Sequence, residues 1–224
     1  MKKLLSSLPL VLVACVTAFS AAAQEIKGDA TKGQTKIAVC IGCHGIVGYQ
    51  ASFPEIYKVP MISGQGAKYI VSALTAYKKG ERKHPTMRGI AGPLSDQDMA
   101  DIAAYYEAHG KAREPTAAKG SEPSAKALEL VKKGACLSCH GEGFSKPIDP
   151  TYPKIAGQHS DYLFVALKAY KTENNPKMGR ANGVMGAVAK QFSNAEMREL
   201  AAYVSSLQSE LHTIPQDKFK FSMR

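Results

Sequence analysis

Cys40-Ile41-Gly42-Cys43-His44 and Cys136-Leu137-Ser138-Cys139-His140 decide the reading of this chain. In each, a pair of thiols brackets two residues and a histidine follows the second thiol at once. C-x-x-C-H is the covalent attachment sequence for a c-type haem. The spacing lets two thiols reach the two vinyl groups on one edge of a porphyrin, and the adjacent histidine is placed to bind iron from the same side. Other chemistries use these residue types. Zinc would need a fourth ligand, which no further cysteine supplies. A thioredoxin-like dithiol would not need the histidine twice, and simple disulfides are the structural reading for an exported chain. A motif that occurs twice and uses every cysteine beyond the leader favours two haem groups over all three.

The leader is read from its own pattern. Met1-Lys2-Lys3 is a basic start, residues 8–16 are apolar apart from Pro9, and Ala21-Ala22-Ala23 is a small-residue cleavage pattern. Residues 1–23 are therefore expected to be a signal peptide, with Gln24 as the mature start. The apolar run is shorter than the ~20 residues that cross a bilayer. Leu12-Val13-Ala14-Cys15 also has the form of a lipoprotein cleavage box, which makes lipid anchoring through Cys15 the minor alternative.

Composition narrows the class. The 224 residues carry 29 basic and 19 acidic side chains, a formal +10, with 45% hydrophobic and 21% charged residues, which excludes a disordered or fibrous chain. Aromatics are 8% with no tryptophan, thin for the cores of two small domains, so a cofactor is expected to fill part of the interior. Without residues 1–23 the balance is 27 basic and 19 acidic, or +8.

The chain is a repeat. Cys40 and Cys136 are offset by 96 residues. Val59-Pro60-Met61-Ile62-Ser63-Gly64-Gln65 matches Tyr152-Pro153-Lys154-Ile155-Ala156-Gly157-Gln158 at an offset of 93, as do Tyr69, Leu74, Tyr77 and Lys78 with Tyr162, Leu167, Tyr170 and Lys171. Ser95 and Tyr105 recur as Ser193 and Tyr203 at an offset of 98. Changing offsets place insertions in loops between fixed elements. The stretch 110–123, rich in Gly, Pro, Lys, Ala and Ser, lacks apolar periodicity and reads as a linker. The expected organisation is a first domain at 24–113, a linker at 114–123 and a second domain at 124–224.

Each module reads as all-α. Ser95-Asp96-Gln97-Asp98 and Ser193-Asn194-Ala195-Glu196 are capping boxes, and the apolar residues after them repeat on one helix face. Further helices are expected at 31–39, 67–79, 124–133 and 160–171, and no alternating run is long enough for a sheet.

This duplicated pattern resembles the dihaem cytochrome c4 family, two class I cytochrome c domains in tandem, each wrapped around one covalent haem. The motifs behind the likeness span nearly the whole chain after the leader: Gly28-Asp29 to Gly33, both P-x-I-x-G-Q segments, and both methionine-then-capping-box endings. The resemblance implies two covalently bound haem c groups and a periplasmic, peripherally membrane-associated electron carrier that takes electrons from a quinol-oxidising complex and feeds a terminal oxidase. It also implies His44 and His140 as axial iron ligands, with the Pro60 and Pro153 carbonyls holding their other ring nitrogens; a plain turn is the alternative role for each proline.

A methionine is expected as the second ligand, since His/Met ligation raises the potential. Met87, eight residues before Ser95, fits the first haem, with His84 as its rival; Met99 lies on the apolar helix face and reads as core. The second module offers Met178 and Met185. Asn175-Pro176-Lys177-Met178 copies the context of Met87, but Met185 keeps the eight-residue register to the cap Ser193, and that register to a rigid helix is preferred. His109, His159 and His212 have no repeated partners and are expected at the surface; the tail 211–224 has no counterpart and no assigned role.

Two alternatives remain on the sequence: a dihaem subunit of a flavoprotein dehydrogenase such as sulfide dehydrogenase, and, less favoured, a dihaem peroxidase, which needs an open iron position and a longer chain. Thiosulfate-oxidising dihaem enzymes use a cysteine ligand that this chain does not have to spare. No acid/base cluster marks either module as an enzyme. Net charge is +3 over 24–117 and +5 over 118–224. In an exported chain that excess points to docking on an acidic redox partner or anionic lipid, and not to nucleic acid.

Overall fold

A computed structural model describes residues 26–117 and 122–215. The expected signal peptide with Cys15, part of the expected linker, and the end of the tail lie outside the described residues.

The first module contains α1 (Ala30–Lys36), α2 (Ala38–His44), α3 (Ala67–Lys79), α4 (Pro85–Ala91) and α5 (Asp96–Lys111). Two-residue strands β1 (Gln50–Ala51) and β2 (Tyr57–Lys58) pair antiparallel, and β3 (Arg82–Lys83) follows α3. The second contains α6 (Ala125–Lys133), α7 (Leu137–His140), a 3-10 turn at Glu142–Phe144, α8 (Ser160–Lys171), β4 (Gly179–Arg180), α9 (Gly183–Lys190) and α10 (Asn194–Ser206). The molecule is helical, as the repeat led one to expect.

Local chemistry sets these boundaries. Asp29 caps α1 by accepting from the amides of Thr31 and Lys32. Both capping boxes form, Ser95 with Asp98 and Ser193 with Glu196, so α5 and α10 begin at the expected places. Gly80, in the left-handed region at φ 77°, ends α3. The single helix expected over 31–39 is two: the chain turns at Ile37 (φ −87°, ψ 1°), which drops that side chain into the core before α2 lifts Cys40 and Cys43 onto the next face.

In each module the capped C-terminal helix is the spine of the core. Met99, Ile102 and Tyr106 of α5 meet Ile37, Ile70 and Leu74; Met197, Leu200 and Val204 of α10 meet Phe144, Phe164 and Phe192. Helix α1 crosses α5 at Gly33, where a Cβ would lie 2.1 Å from the Asp101 carbonyl oxygen, so only glycine permits that approach.

The modules are joined by short backbone pairings. Strand β3 pairs antiparallel with β4, Thr116 with Ser209, and Ser63 with His212. The start of the tail therefore returns to the first module, with Leu211 and Ile214 buried. This corrects the surface reading of three histidines. His109, His159 and His212 are all half-buried, and the His212 amide donates to the Ser63 carbonyl at 2.9 Å. His212 is covered by contact between modules, which a search for repeated partners does not detect, whereas His109 packs on Tyr105 and lies 3.4 Å from the Ser63 hydroxyl of its own module.

Candidate functional site

One continuous cavity of about 1090 Å³ runs through both modules and is lined by both Cys-x-x-Cys-His motifs. It is larger than a drug-sized ligand's pocket of roughly 300–1,000 Å³. Its apolar walls include Ile70, Leu74 and Ile102 on one side and Phe144, Leu163 and Val204 on the other.

Helix α2 presents Cys40, Cys43 and His44 to the cavity, and the segment from Cys136 through α7 presents Cys136, Cys139 and His140. Among the described residues none of the four thiols is in a disulfide. Burial pushes the Cys40 thiol up to about 11 and raises that of Cys136. His44 Nδ1–H donates to the Pro60 carbonyl at 2.8 Å, and His140 Nδ1–H donates to the Pro153 carbonyl at 3.0 Å. These bonds fix the tautomer and leave Nε2 unprotonated, free to bind a metal. Burial lowers both imidazole pKa values against the opposing pull of those carbonyls, which keeps the rings neutral, the form that binds a metal.

Met87 and Met185 occupy equivalent positions in the two modules. Each is the third residue of a short helix, α4 or α9, and each backbone amide donates to the cap, Met87 to His84 Nδ1 at 3.3 Å and Met185 to Asn182 Oδ1 at 2.9 Å. Both side chains line the cavity and Met178 does not. Met178 lies in a turn, its amide donating to Asn175 Oδ1 at 3.1 Å. Neither α4 nor α9 was among the helices expected from the sequence. Pro85 at the first helical position and Asn182 as a cap were the signals for α4 and α9. His84, the rival to Met87 on the sequence, is a structural cap: its Nδ1 accepts from Met87, and its Nε2 hydrogen-bonds the Tyr57 hydroxyl at 3.0 Å. Both ring nitrogens are thereby used.

Two residues that sequence reasoning did not single out stand between the modules. Arg82 donates to the hydroxyls of Tyr69 at 3.1 Å and Tyr162 at 2.7 Å; Arg180 donates to Tyr162 at 3.1 Å and lies 5.2 Å over the Tyr170 ring. Burial pushes the Tyr162 phenol up, but the guanidiniums of Arg180 and Arg82 outweigh it and hold the phenol down at about 8. Both arginines line the cavity, neither has a carboxylate partner among the described residues, and Nε of Arg82 is buried without a hydrogen-bond partner.

This constellation fits haem c. Two thiols, a held imidazole, a thioether and apolar side chains line the cavity in each half. The unpaired guanidinium charge faces the same space, as an anionic cofactor edge requires. Such an arrangement, duplicated, defines a dihaem c-type cytochrome.

The comparisons agree. The cytochrome c family pattern matches residues 30–108 and 124–208. Cytochrome c4 of Stutzerimonas stutzeri is 33% identical over 92% of this chain and 100% of its own. A protein named thiosulfate dehydrogenase electron acceptor, from Thiomonas intermedia, is 30% identical over 75% of this chain and 78% of its own. The crystal structure of reduced cytochrome c4 from Pseudomonas stutzeri superposes with a TM-score of 0.63 at 31% identity, covering 80% of this chain and 99% of that one. The chain belongs to the dihaem cytochrome c4 family. It carries two covalently bound haem c groups and is an electron carrier, not an enzyme.

Proposed function

We propose that this protein is a periplasmic carrier that passes single electrons from a quinol-oxidising complex to a terminal oxidase. In this reading Cys40 and Cys43 hold the first haem and Cys136 and Cys139 the second, with 24–113 and 124–224 as the two haem domains joined by 114–123. His44 and Met87 ligate the first iron, and His140 and Met185 the second. When bound, each haem supplies a one-electron Fe(III)/Fe(II) couple whose potential His/Met ligation raises. The chain's part is to keep both axial positions filled, so that no substrate reaches iron, and to hold the ligands still during transfer. Pro60 and Pro153 hold the imidazoles, while the caps at His84 and Asn182 hold the helices that bear the methionines.

The observation that supports this reading is the continuous cavity lined by both Cys-x-x-Cys-His motifs, which suits electron exchange between two haems. Peripheral association with the membrane suits the basic excess. Among the described residues no helix is long and apolar enough to cross a membrane.

A second reading has a specific observation behind it. Relatives of similar length are named as electron acceptors of thiosulfate dehydrogenase, which favours a dedicated dehydrogenase partner, in line with the dehydrogenase-subunit alternative. The experiment is stopped-flow oxidation of the fully reduced holoprotein by the purified terminal oxidase at rising ionic strength. Fast oxidation that slows with salt supports the carrier reading and its steering charge. Absence of oxidation, with rapid reduction by a dehydrogenase that copurifies, overturns it in favour of the second.

A further inference from the structure

One peptide group in each module faces two ways. The Pro60 carbonyl accepts from His44 Nδ1 at 2.8 Å, while the N–H of the same peptide unit, on Met61, donates to Gln158 Oε1 of the other module at 3.1 Å. The reciprocal group does the same: the Pro153 carbonyl accepts from His140 Nδ1 at 3.0 Å, and the Lys154 N–H donates to Gln65 Oε1 at 2.9 Å. Each glutamine then closes a ring. Gln158 Nε2 donates to the Met61 carbonyl at 3.0 Å and Gln65 Nε2 to the Lys154 carbonyl at 2.9 Å. Both side chains are buried, and each amide is oriented by a bond from the next backbone N–H, Gly66 to Gln65 and His159 to Gln158.

We propose that Gln65 and Gln158 are positioning residues that tune, each from its own module, the electron affinity of the haem in the other. Hydrogen bonds in series polarise one another, by roughly 10–30% per bond in a low-dielectric interior. A carbonyl whose own N–H is engaged is the stronger acceptor. It draws the Nδ1 proton and gives the axial imidazole more anionic character, which stabilises ferric iron and lowers the potential. Gln158 therefore acts on the first haem and Gln65 on the second. The same bonds dock the modules, so module contact and haem potential are set by one pair of side chains.

The inference rests on His44 and His140 being axial ligands. That reading is checked on the unaltered holoprotein, whose ferric spectrum must show histidine–methionine coordination at both haems; if it does not, the ligand assignment fails before any variant is made, and this inference with it. The variants are Gln158→Met, near in shape but without the acceptor, and Gln158→Glu, which keeps an acceptor oxygen whether or not it is ionised. Midpoint potentials are followed for each haem separately through its ring-methyl NMR signals. Gln158→Met is expected to raise the first haem's potential and leave the second unmoved, with faster hydrogen exchange at the Met61 amide. Gln158→Glu is expected to return the first haem to the wild-type value or below. Gln65→Met should give the mirror result on the second haem, and serves if the Gln158 variants do not assemble. Shifts of the same sign in Met and Glu variants, equal shifts of both haems, or no shift with the Met61 amide exposed would each overturn the proposal, leaving the glutamines as docking contacts alone.

Discussion

Arg82 and Arg180 face each other as direct partners across the antiparallel β3–β4 ladder, one from each module. Like charges in register repel, and here the compensation comes from tyrosine hydroxyls and rings. A cation beside a haem favours the reduced form. Replacing Arg82 by Gln should therefore lower the haem potentials, by on the order of 1 kcal/mol of electron affinity. A spectroelectrochemical titration that finds the potentials unchanged would remove the arginines from the account of redox tuning.

Met185, not Met178, lines the cavity that His140 also lines, at the third position of α9 just as Met87 stands at the third position of α4. Met185→Leu should abolish the weak far-red sulfur–iron charge-transfer absorption of one ferric haem and lower that haem's potential. Met178→Leu should leave both unchanged. The reverse pattern would reassign the ligand.

Gly33→Ala tests the crossing of α1 on α5. The new methyl would lie 2.1 Å from the backbone oxygen of Asp101, which has no flexible side chain to yield. Overpacking against backbone should cost ~3 kcal/mol, read as a lower denaturant midpoint with an unchanged slope. A loss within experimental error would mean the helices shift apart freely.

Asp101 links the same two helices and should give the fold an acid limit. Its carboxylate is fully buried in α5 and accepts from Lys36 Nζ at 2.7 Å, the Asp29 amide at 2.9 Å and Gln97 Nε2 at 2.8 Å. The Lys36 bond is the main cause that holds its pKa down from 3.8 to about 2, against the opposing effect of burial. A depressed carboxylate stabilises the fold fully above its unfolded value. That stability drains as pH falls from about 4 through about 2. Asp101→Asn should flatten this part of the stability–pH curve, starting ~2 kcal/mol below wild type at neutral pH, because a charge-assisted bond is lost while Lys36 keeps Asp98 at 2.7 Å. An equally steep acid loss in the variant would assign the effect to other carboxylates.

Much of this was written in short stretches of chain. The thiol and histidine positions follow from a five-residue spacing. Helices α3 and α8 span the expected 67–79 and 160–171, and the two serine caps start α5 and α10 where their boxes stand. Each of these signals acts within one or two helical turns, so a neighbour in sequence is enough to read it. The break at Ile37 and the helices α4 and α9 were less legible, because one buried side chain or one cap over a seven- or eight-residue segment gives too few periods to separate helix from loop.

What the tertiary structure alone decided is how the two modules meet. The sequence specified a duplicated, helical, two-haem chain and repeated Gln65 as Gln158, but nothing local shows that each glutamine binds the peptide behind the other module's histidine. The pairing of Arg82 with Arg180, the return of Leu211 to the interface and the burial of His212 are of the same kind. Contacts between residues about a hundred positions apart depend on which surfaces are complementary once both modules have folded, and that information is spread over the whole chain.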